Sequence, residues 1–168
     1  MTGKIYFHRF STDLGLISSL ATEAGIINIF LPPFDRNALQ KFISRKYPRA
    51  ESLSPGEMNT QLEIQINQYL TGQRKSFELS LNLEVSPFQE QVLKQVAAIP
   101  YGRTATYGAI ASAIGKPGAS RAVGTANARN PLPLVIPCHR VVTSHGLGGY
   151  GGGLDMKKKL LAIEQYHI

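Results

Sequence analysis

The 168-residue chain has a single cysteine, Cys138, in Pro137-Cys138-His139-Arg140, at the end of the apolar run Leu132-Pro133-Leu134-Val135-Ile136. A thiolate is the reactive form of cysteine, and neighbouring cationic groups favour it. A lone thiol beside an imidazole and a guanidinium is therefore a candidate nucleophile. The alternative is a buried cysteine that packs as a small hydrophobe. In an extended segment the side chains of Cys138 and His139 point to opposite faces. A cysteine protease needs nucleophile and base in direct reach, so either the backbone turns sharply at Cys138 or a water relays the proton. A zinc site takes about four ligands. One cysteine and four histidines (His8, His139, His145, His167) without ligand spacing do not supply them. The glycine-rich stretch 148–153 precedes a helix but lacks the Lys-Ser/Thr ending of a phosphate loop.

The elements that must position this thiol follow from periodicity. Leu14 to Leu20 and Ile26 to Leu31 flank Thr22-Glu23-Ala24-Gly25, the pattern of a β-hairpin. Pro32-Pro33 ends the second strand. A short helix is expected from Asp35 to Phe42 and a loop from Arg45 to Pro55. Met58, Leu62, Ile66 and Leu70 recur every fourth residue, which predicts a helix over 57–70 stopped by Thr71-Gly72. Phe77, Leu79, Leu81 and Leu83 alternate with polar residues, as in a half-buried strand. Nothing in residues 1–84 gathers acids, histidines or glycines, and this half reads as scaffold.

A boundary falls near Glu84-Val85, giving an N-terminal α/β unit (1–84) and a C-terminal unit (85–168). Ser86-Pro87-Phe88-Gln89 opens a helix with a capping box; Phe88, Val92, Leu93, Val96 and Ala97 form its apolar face. Two short helices follow, capped by Thr106 and Ser120 and joined by Gly115-Lys116-Pro117-Gly118. The pattern suits a helix-turn-helix or an ordinary αα-hairpin equally. The second helix carries Ala122, Gly124, Thr125, Ala126 and Ala128. Such a slim helix suits close approach to a surface better than reading base edges in a major groove. A final helix from Leu154 to about Gln165 places Leu154 and Leu161 on its apolar face, with Lys157-Lys158-Lys159 as a solvated face.

Bulk properties bound the rest. One cysteine allows no internal disulfide, so the fold needs no oxidising compartment. The start lacks the pattern of a leader, and no apolar stretch is long enough to span a bilayer. These features point to a soluble, cytoplasmic protein. The net charge of +7 raises the odds of a polyanionic partner.

At this point the sequence resembles the O6-alkylguanine-DNA alkyltransferases, direct-reversal DNA repair proteins. The residues that carry the likeness are Ile136-Pro137-Cys138-His139-Arg140-Val141-Val142, Asn130-Pro131, Arg121-Ala122-Val123-Gly124, Ile99-Pro100-Tyr101-Gly102 with Thr106-Tyr107, and Tyr150-Gly151-Gly152-Gly153-Leu154 through Glu164. The resemblance implies an α+β fold: a small N-terminal sheet with a flanking helix, ribonuclease H-like, then a mainly helical domain with a helix-turn-helix. It implies a base flipped out of the duplex so that its O6 substituent reaches the thiol. Cys138 would be the nucleophile, His139 the base acting through a water, Glu164 the carboxylate orienting the imidazole and Tyr107 the donor to the base's ring nitrogen. Arg121 would fill the vacated stack, and Thr106, Gly124, Ala126 and Asn127 would lie at the DNA. Asn130 would brace the turn before the thiol. The Val141 carbonyl and Gly151 N–H would meet the guanine edge, with Tyr150 as a wall. The partner would be duplex DNA bound by a monomer, without cofactor or metal; O4-alkylthymine is left open as a second substrate. The thioether product is a poor electrophile, so the reaction would run once and alkylation would destabilise the fold.

One departure stands out. Gly151 occupies a position where the family often carries serine, and the glycine-rich loop before it would open the pocket to bulkier alkyl groups. A related non-catalytic group carries tryptophan at the cysteine position; Cys138 argues against membership there. Two other readings remain open on the residues alone: a helix-turn-helix protein that binds or senses damaged DNA, and a cysteine hydrolase using Cys138, His139 and Glu164.

Overall fold

The computed structural model describes residues 4–33, 35–49 and 51–167. Residues 1–3, part of the stretch 1–9 read for a leader pattern, lie outside them, as does residue 50 of the expected 45–55 loop. Strands β1 (Lys4–Thr12), β2 (Gly15–Thr22) and β3 (Gly25–Phe30) form an antiparallel meander. The β2–β3 hairpin agrees with the sequence reading. Both turns are built alike: the hydroxyls of Thr12 and Thr22 accept the N–H two residues on and donate to the carbonyl of the glycine that opens the next strand. Strand β4 (Glu51–Leu53), inside the expected loop, pairs in parallel with β1 and completes the order β3-β2-β1-β4. At three residues it is too short to show a periodicity in sequence.

Helix α1 (Arg36–Lys46) is capped by the Asp35 carboxylate and runs past the expected end at Phe42. It closes one face of the sheet over Ile5, Leu20, Ile27, Leu39 and Tyr47. Helix α2 (Glu57–Leu70) lies on the other face and buries Leu62, Ile66 and Tyr69 completely. Gly72, at φ +75°, ends it as expected. The segment 77–83 is not a strand. It touches β3 by a single bridge, Ile26 to Leu81, and is held instead by Gln65, whose side-chain amide bonds both backbone groups of Glu78. Its alternation records a half-buried extended chain without a ladder.

In the second half, α3 (Pro87–Ala97) starts at Ser86, whose hydroxyl accepts the Gln89 N–H. The capping box is incomplete, because the Gln89 side chain donates to the carbonyls of Ala126 and Arg129 instead. Strand β5 (Ala105–Thr106) leads into α4 (Tyr107–Ala113), capped by Thr106 as expected. Helix α5 (Ser120–Ala128) begins one residue early, so Ser120 lies inside it and does not cap it. The strand expected at 132–136 is a tight turn, with Leu134 at φ +73° and a bridge between Pro133 and Ile136. A 3-10 turn (Cys138–Arg140) follows, then β6 (Val141–Val142), parallel to β5, and α6 (Leu154–Tyr166).

The face of α6 turned inward is not the expected one. Leu160 is fully buried, Leu154 is 49% exposed, and Lys157 is completely buried while Lys158 and Lys159 are exposed. Residues 157, 160 and 164 share one side of the helix, so a core-facing lysine sits two turns from a core-facing glutamate. One hydrophobic core runs through both halves, from Phe10, Ile17 and Ile26 through Tyr69, Val92 and Val123 to Leu160. Among the described residues no helix is long and apolar enough to cross a membrane.

Candidate active site

Cys138 opens the 3-10 turn at 6% exposure. The turn, not a strand, sets its relation to His139. Among the described residues no hydrogen bond joins the thiol to the imidazole. The two are held from the side by amides. Asn127 Nδ2 donates to the Cys138 carbonyl at 3.3 Å. Asn130 Nδ2 donates to the Ile136 carbonyl at 2.8 Å while its Oδ1 accepts the Leu132 N–H at 3.0 Å, which ties both ends of the turn together.

Behind the thiol lies a buried polar centre on Glu164. His139 Nε2 stands 2.7 Å from Glu164 Oε1, both groups having no exposure. Arg140 approaches the same carboxylate through Nε (3.0 Å to Oε2) and Nη2 (3.0 Å to Oε1), and its Nη1 donates to the Ile99 carbonyl. The Gly102 N–H donates to Oε2 at 2.9 Å. Tyr69, from α2, donates its hydroxyl to Oε1 at 2.5 Å and lies 3.1 Å from His139 Nε2. With Nε2–H donating to the carboxylate, Nδ1 is the open lone pair of the imidazole. It is buried and has no protein partner.

Protonation follows from this arrangement. Burial alone would raise the Glu164 carboxyl, but hydrogen bonds from His139, Arg140 and Tyr69 hold it down at about 2. Burial pushes His139 below the ordinary histidine range, with Glu164 opposing, so the imidazole rests neutral at neutral pH. Burial also pushes the Cys138 thiol up; hydrogen bonding from Asn130 and the charge of Lys157 offset only part. The resting group is thus a thiol, and the cationic neighbourhood read from the motif does not make it a thiolate. Arg140 is spent on Glu164.

In front of the thiol is a cleft of about 700 Å³, lined by Tyr107, Gly124, Asn127, Asn130, Tyr150 and Gly151, and from the first half by Phe30, Leu31, Asp35 and Ala38. The Tyr107 phenol is pushed up by burial and by the neighbouring Cys138, so it stands as a donor. Gly148, at φ +69°, lets the loop pass close to it: a Cβ there would lie 3.0 Å from the Tyr107 hydroxyl. The Tyr150 hydroxyl is buried without a partner. The Val141 carbonyl accepts Lys157 Nζ at 2.6 Å, and the same ammonium donates to the carbonyls of Leu147 and Gly149. That lysine, expected in solvent, is the clip that fastens the glycine-rich loop to β6.

The residues expected at DNA divide. Arg121 is exposed on the first turn of α5, Gly124 is half-buried beside the Tyr107 ring, and Thr106 caps α4. Ala126 and Asn127 are turned inward, at 6% and 5% exposure. Sequence reasoning missed Tyr69, because nothing local marks a helix tyrosine as a partner of a carboxylate 95 positions away. It missed Lys157 because a run of lysines ordinarily faces water.

Residues 87–166 match the family model for the 6-O-methylguanine DNA methyltransferase, DNA binding domain. A methylated-DNA–protein-cysteine methyltransferase of Mycolicibacterium paratuberculosis is 51% identical over 104 residues, 61% of this chain and 63% of that protein's length. The aligned part thus spans under two thirds of that relative. One from Methanosarcina mazei is 34% identical over 165 residues, 98% of this chain and 99% of its own. Among solved structures, the Mycobacterium tuberculosis OGT in complex with DNA superposes with a TM-score of 0.82 at 33% identity, covering 96% of this chain and 94% of that one. The O6-methylguanine-DNA methyltransferase of Pyrococcus kodakaraensis gives 0.69 at 29% identity, covering 95% and 98%.

Proposed function

This chain belongs to the methylated-DNA–protein-cysteine methyltransferases, and on that premise we propose that it repairs DNA by direct reversal, moving the alkyl group of O6-alkylguanine onto Cys138. The observation that carries this reading is the pair of groups flanking the thiol: a buried imidazole whose Nδ1 has no protein partner, and a cleft with room for an extruded base.

The Cys138 proton passes through a water to His139 Nδ1, and Glu164 stabilises the imidazolium at Nε2. The sulfur attacks the alkyl carbon, the S–C bond forms and the C–O6 bond breaks. Tyr107 hydrogen-bonds the leaving base at a ring nitrogen. The thioether has no route back, so each molecule acts once. A raised thiol pKa fits this use, because the base is needed only when the substrate is in place. Arg121 enters the duplex where the base has left. The exposed small residues of α5, Ala122, Thr125 and Ala128, allow close approach to a minor groove, where sequence is read poorly. Val141 O and Gly151 N meet the guanine edge, and Tyr150 walls the pocket. Asn127, Asn130 and Ala126 act from inside by holding the turn and α5. Residues 85–168 carry DNA binding and chemistry, and residues 1–84 the supporting sheet. The protein works as a cytoplasmic monomer.

The test is intact mass after incubation with duplex DNA carrying O6-methylguanine. A stoichiometric gain of one methyl, absent from Cys138→Ala, is expected. Binding without transfer would favour a damage sensor, and ester turnover a hydrolase. The same complex is expected to weaken steeply with salt, since phosphate contacts release counterions.

A further inference from the structure

We propose that Tyr69, from the half of the chain that otherwise builds the sheet, is a positioning residue of the active site: its hydroxyl shares Glu164 Oε1 with His139 and sets how much of the carboxylate's charge the imidazole receives. A carboxylate offers about four lone-pair sites. Glu164 faces five protons: the Tyr69 hydroxyl, His139 Nε2–H, Arg140 Nε–H, one Arg140 Nη2–H and the Gly102 N–H. The acceptor is oversubscribed, and the two donors nearest in distance, Tyr69 at 2.5 Å and His139 at 2.7 Å, compete for the same oxygen. Their heavy atoms lie 3.1 Å apart, as expected for two groups crowding one acceptor. Arg140 and Gly102 also hold Oε2, so only Tyr69 acts on the His139 side alone.

Packing does not explain the hydroxyl. The Tyr69 ring is fully buried against Phe77 and Tyr101, and phenylalanine would fill the same space. A buried hydroxyl is a cost unless bonded, and this one is bonded across 95 positions of chain to the residue that orients the base. Removing it returns a lone pair of Oε1 to His139 and strengthens that bond, so the imidazole becomes more basic. The titratable and charged groups around His139 are Cys138 and Arg140 on its own turn, Tyr69 on α2, Tyr101 after α3, Tyr150 on the glycine-rich loop, and Lys157 and Glu164 on α6. Of these, Tyr69→Phe removes only the hydroxyl, and with it the bond to Glu164 Oε1 and the 3.1 Å contact with His139 Nε2.

The test is the NMR titration of His139 in labelled wild-type protein and Tyr69→Phe. The midpoint is expected to rise by about one pH unit in the variant, the order of change one hydrogen bond to a carboxylate produces. An unchanged or lowered midpoint overturns the proposal. Phe77→Leu, which loosens the packing of the Tyr69 ring but keeps its hydroxyl, is the control. It is expected to lower the melting temperature without moving the midpoint; an equal rise in both variants overturns the proposal. If Tyr69→Phe does not fold, the wild type still decides: the Tyr69 ring-carbon resonance next to the hydroxyl must follow the His139 titration, and no response overturns it. The kinetic arm rests on the alkyl-transfer reading. The acid limb of the rate of methyl uptake from an O6-methylguanine duplex is expected to move up with the midpoint while DNA affinity stays the same, and a limb that stays in place overturns the proposal. Should the wild type take up no methyl, that reading fails and the titration alone decides this one.

Discussion

The two sides of Cys138 are built in opposite ways. Behind it, around Glu164, five protons crowd one carboxylate, and every partner is buried. In front, the cleft is lined by Tyr150, whose phenol has no protein partner, and by a glycine whose missing Cβ faces open space. Oversatisfied groups fix one protonation state and one geometry. Unsatisfied buried groups cost free energy, and a protein keeps them where a ligand will complete them. The contrast teaches where this molecule is finished and where it waits for a substrate.

The largest effect should come from breaking the finished side. Glu164→Ala leaves the Arg140 guanidinium, His139 Nε2–H and the Gly102 N–H buried without their acceptor. Loss of one partner of a buried ion pair costs about 3–5 kcal/mol, so urea unfolding should show a destabilisation of that order, and methyl uptake should vanish. A cost under about 1 kcal/mol would mean that this centre is not the tight structure its distances indicate.

Acid probes the same side in the unaltered protein. Glu164 and His139 both have folded pKa values below their unfolded ones. The unfolded chain therefore binds more protons, and stability rises with pH. The His139 contribution is present above the ordinary histidine range and is lost as pH falls through it. The Glu164 contribution is present above the ordinary carboxylate range and is lost as pH falls towards about 2; moving from 4.5 to about 2 corresponds to roughly 3 kcal/mol. Chemical denaturation between pH 8 and 3 should show a monotonic loss, and Glu164→Gln should flatten its lower part.

Lys157→Met strikes the seam between the two sides. It leaves the carbonyls of Val141, Leu147 and Gly149 without their shared donor, for about 1–3 kcal/mol. Hydrogen exchange should rise across 147–151 while the Glu164 centre stays protected. The Cys138 thiol, losing a nearby positive charge, should react with iodoacetamide only at higher pH. The smallest effect belongs to the open side: beyond its own chain neighbours, nothing lies within 4 Å of a Cβ built on Gly151, so Gly151→Ser should change stability by less than about 0.5 kcal/mol. A larger loss in thermal melts would show that the cleft is less open than its walls suggest.

What could be read in sequence varied with the range of the cause. The hairpin, α2 and the Thr106 cap are local events, written in residues a few positions apart. The strand expected at 77–83 and the solvated Lys157 failed for the opposite reason. Alternation signals half-burial but not a ladder, and the side of α6 that faces inward depends on what packs against it. The place of Tyr69, in the half read as scaffold, was out of sight for the same reason, since it reaches the site only when α2 packs across the core.

The sequence by itself determined the thiol, its imidazole neighbour, the glycine-rich loop and the paired short helices, because each is a short stretch of covalent chain. Only the tertiary structure decided that Arg140 serves Glu164 and not the thiol, that Lys157 is a clip, and that a tyrosine from the first half completes the centre. Those assignments depend on which polar groups are driven out of water together. A buried donor must find an acceptor wherever the packed core has placed one, and that distance is not written along the chain.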